Sequence, residues 1–274
     1  MRTFINQTLG GTRLDSQGER LPLAELQAIC EKFRGKRIPL HQKHSMADTT
    51  LGYIENLRTL PDSEASGDWS LIGDVYLTEG ELDEALKGFS ISLTLPLREV
   101  ADPELLLYIP YPHYNDSTLI EELATDRTLT IGKWVKKAAD PCSWALFGAT
   151  IAFVVTPIWD DIYKRKIAPV VDRFLETHFL RLHQAGINLE HVQHLSYESH
   201  QVEIRFIPAL GKERYCFSSD LLRAGISQVI ECLKQDVKAK DPGVERIILS
   251  YDVGCRTYTI LRVEHKDGEV EHHV

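Results

Sequence analysis

Residues 141–159, PCSWALFGATIAFVVTPIW, form a 19-residue run without a charged side chain, in a chain that is 26% charged. That length meets the lower bound for a bilayer-spanning helix, roughly 17–25 residues. Lys133, Lys136 and Lys137 precede the run, and Lys164, Arg165 and Lys166 follow it. Trp144 and Trp159 stand near its ends, where a membrane interface attracts such side chains. Basic residues on both sides leave an orientation open. The second reading of the same run is a buried or interfacial helix, broken at Pro157 and continued amphipathically through Ile162, Val170, Phe174 and Leu175. Both readings predict an apolar to amphipathic helical segment over 141–183, with membrane contact through 141–159 as one outcome.

Upstream the pattern is different. AELQAICEKFR (24–34) places Leu26, Ile29, Cys30 and Phe33 on one helical face, and Gly35 stops it. From 37 to 114 short apolar runs are cut by turn residues: RIPLH, LGYIENL, WSLIGDVYL, GFSISLTLPL and ELLLYIPY read as strands, with a short helix in EGELDEALKG (79–88) and a loop in PDSEASGD (61–68). Five strands around short helices predict a small closed or half-closed sheet. Residues 115–140 are polar and mixed. Downstream, VEIRFIP, a helix over 221–237, RIILSYDV and YTILRVEH alternate as a second α/β unit, and the Asp-Gly of KDGEV predicts a final hairpin. The expected fold class is therefore α+β. It comprises a β-rich, barrel-like domain over 1–120, a linker over 121–140, the apolar helix, and a smaller α/β accessory domain over 184–274.

The net charge of −9 falls entirely in the first 130 residues, which carry 12 Lys and Arg against 21 Asp and Glu. Nucleic acid binding needs the opposite, clustered cations, and is not expected. The five cysteines are scattered without a CxxC pair, and the N-terminus has no apolar signal stretch. Both point to a reducing compartment: the cytoplasm, or association with the inner membrane if 141–159 makes contact. No Gly-rich phosphate loop and no zinc-type spacing occurs, so no cofactor or metal is expected. His178, His183, His191, His194, His200, His265, His272 and His273 read as surface residues.

The first domain has few histidines, which shortens the search for chemistry. His41 and His44 lie in IPLHQKHSMADTTLGYIENL, a strand–turn–strand pattern, and His113 lies further on. Ser90 and Ser92 alternate along GFSISLTL and share one side of that strand. A serine hydroxyl becomes a nucleophile when a base within hydrogen-bond reach takes its proton and a third group orients the base.

Four blocks, IPLHQKH, LGYIENL, ALKGFSISL and PELLLYIPYPHYND, occur in the order and character of phage prohead (capsid maturation) serine proteases. The chain resembles that family, which is related to the herpesvirus assemblin-type proteases, over residues 1–120 and not in its C-terminal half. The 46 residues from His44 to Ser90 are an interval of the family's kind. The resemblance implies Ser90 as nucleophile, His44 as base and Glu104 as the orienting acid, with His41 as alternative base. On the herpesvirus pattern, where a second histidine orients the first, His113 replaces Glu104. Arg98 is a candidate for the oxyanion. Lys43 stands where the family has Asn, Ser92 where it has Gly, and the interval from Ser90 to Glu104 is shorter than usual.

The expected function is that of a serine endopeptidase acting on a protein substrate or on itself, with self-cleavage in 115–140. The chain would be a phage-derived, two-domain protein whose C-terminal domain positions or regulates the first, and a homo-oligomer is compatible with this. Lys43 and Ser92 favour the alternative, an inactive protease-fold interaction module. Membrane contact at 141–159 would make the chain a tethered sensor.

Overall fold

A computed structural model describes residues 1–15, 18–41, 50–64, 66–87, 91–137, 144–150, 153–154, 159–197, 200–209, 213–235 and 243–273. The chain divides into two compact units: Met1–Leu93 with Val135–Cys142 and Lys266–Val270, and Thr94–Trp134 with Ser143–His265 and Glu271–Val274.

In the first unit β1 (Arg2–Gly11), helix α1 (Leu23–Lys32), β2 (Ile38–His41), β3 (Thr50–Pro61), β4 (Trp69–Leu77) and helix α2 (Leu82–Lys87) follow one another. The strands form one antiparallel sheet in the order β1-β4-β3-β2. Leu26 and Ile29 on the apolar face of α1 are buried, as are Leu40, Ile54, Leu71 and Val75 of the strands, and α1 packs on β3. Gly35 takes a φ of +69° just beyond α1, the left-handed stop that the sequence called for.

No closed barrel occurs among the described residues. β1 and β2 are free edges, and the last two strands counted toward the barrel, β5 (Ile91–Arg98) and β6 (Leu105–Pro110), join a different sheet. Strand content and alternation were legible. The partner of each strand was not, because alternation fixes which face is buried and not which neighbour lies beside it.

That second sheet continues with a 3₁₀ turn (His113–Asn115), helix α3 (Ser117–Leu123), β7 (Leu129–Lys137), β8 (Trp144–Ala149), β9 (Phe153–Val154), helix α4 (Trp159–Ile162), a π-helical turn (Tyr163–Ile167) and helix α5 (Ala168–Gln184). It ends with β10 (Asn188–Tyr197), β11 (His200–Ile207), helix α6 (Glu213–Cys216), helix α7 (Ser219–Gln235), β12 (Val244–Asp252), β13 (Thr257–His265) and β14 (Val270–His272). Nine strands lie in the order β14-β13-β12-β11-β10-β8-β6-β7-β5, with β9 beside β10. Parallel pairs β6/β7, β8/β10 and β11/β12 are bridged by α3, α5 and α7, and antiparallel pairs β6/β8, β10/β11 and β12/β13 stitch them into a mixed sheet. The fold is thus α+β, as expected.

Where the apolar run is described before Trp159, it is strand. Residues Trp144–Ala149 are a central strand, parallel to β10 on one side and antiparallel to β6 on the other. Ala145, Phe147 and Ala149 are buried on one face and Leu146 on the other. A strand covered on both faces must be apolar at every position, so it loses the alternation that announces a strand and looks like a membrane helix. Helix α4 is described from Trp159, and Val170 and Phe174 of α5 are buried on the predicted stripe. Among the described residues no helix is long and apolar enough to cross a membrane. The stretch 121–140, expected as linker, carries the end of α3 and strand β7.

Candidate functional site

His44 and Ser90, the proposed base and nucleophile, lie outside the described residues, as do Lys43 and the connection that carries them. The surrounding elements are defined. His41 is the last residue of β2, paired with Thr50 of β3, so the His44 segment joins two adjacent antiparallel strands. Ser90 immediately precedes Ile91, the first residue of β5, and Ser92 falls within that strand.

The two candidates for the third member separate along β6. Glu104 precedes its first residue, and His113 follows its last by three. Six residues of extended chain span about 20 Å, so Glu104 and His113 serve opposite ends of the sheet. Glu104 is bound into the fold at its own end. Its N–H donates to the Thr128 carbonyl (2.9 Å), its carbonyl accepts from Thr150 N–H (3.0 Å), and its carboxylate is paired with Arg173 of α5, which also donates to Thr128 Oγ1 (3.3 Å).

The contacts of β5 give its direction. The Leu95 carbonyl lies against Gly132 of β7, and further on the Val100 N–H donates to Thr130 Oγ1 (3.4 Å), so β5 descends as β7 ascends. β6 and β7 ascend together, from Leu105 opposite Leu129 to Pro110 opposite Trp134. β5 therefore starts at the end where β6 finishes, the His113 end. Arg98, exposed at the last position of β5, lies at the Glu104 end. Burial pulls the His113 pKa down, only partly opposed by Asp116, which favours the neutral ring. Asp116 accepts from the Thr118 and Leu119 N–H groups and caps α3, so the turn bearing His113 is pinned at the helix start.

Several histidines read as surface residues are interior. His178, His191 and His265 are 5%, 0% and 3% exposed. His178 Nε2 lies 3.0 Å from Asp126 Oδ2, the geometry of two members of a triad. The hydroxyl beside them, Thr128 Oγ1, donates to Asp126 (2.7 Å) and not to the histidine, so the pair ties α5 to the start of β7. Burial raises the Asp126 pKa, but the His178 and Thr128 contacts outweigh it and hold the carboxyl low.

A second polar group was missed. On the face of the second sheet opposite α5 and α7, Arg205 Nε donates to Glu203 (2.8 Å) and Arg205 Nη1 to Glu190 (3.4 Å). Arg246 donates to Glu203 (2.7 Å) and Glu264 (2.8 Å), and Arg262 to Glu264 (2.8 Å). Arg205 also lies over the Trp134 ring, 5.6 Å from its centroid. Burial works against a charged Glu203, yet Arg205 and Arg246 hold its pKa far below the usual carboxylate range. The signal was present as Glu-x-Arg in β11 and Arg-x-Glu in β13, charges two apart that share a strand face. Three arginines and three glutamates pair with one another along this ladder.

No group of three or more His, Cys, Asp or Glu among the described residues is arranged to hold a metal ion. Comparison with family models, curated proteins and solved structures finds no match.

Proposed function

We propose that the chain is a serine peptidase in which Ser90 is the nucleophile, His44 the general base and His113 the group that orients it. The reading is carried by one observation: the four sequence blocks of the prohead-protease pattern occur in order, and both reactive residues fall where strands begin or end, His44 between β2 and β3 and Ser90 just before β5. Rims of sheets are where side chains from separate strands converge on a substrate while the sheets stay rigid.

In this reading His44 takes the Ser90 proton as the hydroxyl attacks a peptide carbonyl, returns it to the leaving amine, and then activates water to release the acyl group. His113 is preferred to Glu104 because β5 starts at its end of the sheet and because Glu104 is already paired with Arg173. Arg98, at the opposite end of β5, gives way to backbone N–H groups as oxyanion donors. The substrate is another protein. Self-cleavage in 115–140 loses support, since α3 and β7 occupy most of that stretch and a protease cuts extended, accessible chain. The tethered-sensor reading loses its helix to β8.

A fluorophosphonate probe tests the proposal. Mass spectrometry should find the adduct on Ser90, and Ser90→Ala and His44→Ala should each abolish it. Labelling that survives both substitutions refutes the assignment. A folded chain that never labels points to the non-catalytic interaction module that Lys43 and Ser92 favour.

A further inference from the structure

Strand β2 is fixed in the core by Ile38 and Leu40, but its backbone pairing is sparse. It has four residues, one neighbour, and a proline at position 39 that cannot donate to the ladder. Its pairing with β3 also slips at its end, where Leu40 faces Gly52 and His41 faces Thr50. Backbone hydrogen bonds alone hold such a strand poorly, yet its last residue leads directly into the His44 segment.

An anchor lies at its other end. Arg37, the residue before β2, places its guanidinium over the Tyr53 ring, 4.6 Å from the centroid. Tyr53 is stacked on Tyr76 at 4.8 Å, and Arg37 Nε lies 3.5 Å from Glu55 Oε2. The Arg37 stem is also met by the turn at Lys266–Val270, which belongs to the same compact unit. Gly268 has a φ of +85°, and a Cβ built on it would fall 2.3 Å from Arg37 Cβ and 2.9 Å from Cδ. The turn therefore comes as close to Arg37 as backbone can, and glycine is required twice, for its conformation and for the approach. Asp267 Oδ1 accepts from the Glu269 N–H (3.0 Å) and stiffens the turn.

We infer that the turn at Lys266–Val270 is a strap that clamps Arg37 onto the Tyr53 ring and so keeps β2 in register with β3. Arg37 is thereby a positioning residue for the histidine-bearing segment that follows β2; this last step rests on the peptidase reading.

Amide hydrogen exchange tests the strap, with Ser90 labelling run beside it. Gly268→Asn keeps a residue that tolerates left-handed backbone but adds the obstructing Cβ; Arg37→Ala removes the clamped side chain at a half-exposed position. Each should raise exchange at Leu40 and His41 by about tenfold or more while β4 amides keep their protection, and the double variant should be no faster than the singles. Should Gly268→Asn fail to fold, Arg37→Ala decides alone, with Arg37→Lys restoring part of the protection. Both variants should also slow Ser90 labelling by about fivefold or more, and Arg37→Lys should recover part of the rate. Unchanged exchange at Leu40 and His41 in Arg37→Ala overturns the strap, whatever Ser90 does. Faster exchange with labelling at the wild-type rate keeps the strap and overturns the positioning role. Absence of labelling in the wild-type chain overturns the peptidase reading and leaves the strap to be judged on exchange.

Discussion

His191 shows how far a single residue departs from what its neighbours in sequence announce. It sits on β10 with the Phe147 and Phe206 rings 4.7 and 5.5 Å away, and the Phe147 backbone opposes the effect of burial only in small part. Burial pulls its pKa down to about 3. In the unfolded chain the ring takes up its proton near pH 6.5, so below that pH the unfolded state binds a proton that the folded state refuses. Its contribution to stability is complete above pH 6.5 and declines by about 1.4 kcal/mol per pH unit as pH falls toward 3. His113 and His272, whose pKa values burial also lowers, add in the same direction. Thermal unfolding should show Tm falling from pH 6.5 to 5. His191→Phe, which suits the aromatic surroundings, should remove at least half of that slope, and an unchanged slope counts against the burial argument. The residues of the candidate site make a sharper contrast. Glu104→Gln breaks a half-exposed ion pair with Arg173 and should cost less than about 1 kcal/mol, leaving Ser90 labelling intact. His113→Ala should lower labelling by at least about tenfold. The reverse pattern would restore Glu104 as the orienting residue.

At the scale of elements, β4 is held by a pair of matched irregularities. Asn6 in β1 and Asn56 in β3 both adopt positive φ, 59° and 58°, where each strand bulges against β4. Asp74, buried between them, accepts from the Asn6 N–H (2.9 Å), Asn56 Nδ2 (3.1 Å) and Arg58 (3.4 Å). These contacts, the Asn6 N–H first, hold the Asp74 pKa low, so the stabilisation they give is full above pH 4 and fades as pH falls below it. Asp74→Ala should cost roughly 1–2 kcal/mol in urea unfolding, since it removes three hydrogen bonds to a buried carboxylate whose donors are partly open to water; a cost under about 0.5 kcal/mol would mean the bulges stand without it. The same bulges explain why β1 was not read from sequence, for RTFINQTLGG breaks its alternation where the extra residues enter. α1 and α7 were legible because each keeps the helical period on one apolar face, and β3, β4, β12, β13 and the last hairpin because short apolar runs there are cut by turn residues. β8 and β10 were not, because both their faces are covered: one became a membrane candidate, and the other a histidine-rich surface. The proposed site was read as four ordered blocks, and its two reactive residues lie outside the described ones. The choice between Glu104 and His113 was not legible, because it depends on which way β5 runs beside β7.

At the scale of the molecule, the ladder from Glu190 through Arg205, Glu203, Arg246 and Glu264 to Arg262 ties β10 to β13 across one face of the second sheet. A buried ladder of this kind adds little stability when intact and costs much when broken, because the residues left behind stay charged. Arg246→Met should therefore destabilise by about 3–5 kcal/mol, measured by urea unfolding. A near-neutral outcome would mean that water reaches Glu203 and Glu264. The functional account rests on something more local, the partnership of Ser90 with His44. Its most direct measurement is the pH dependence of fluorophosphonate labelling at Ser90. A Ser90 hydroxyl served by His44 gives a rate that rises with pH through a single histidine-like ionisation, and that both falls and loses this rise in His44→Ala. A rate that is indifferent to pH between about 5 and 8, or that keeps its rise without His44, would contradict it.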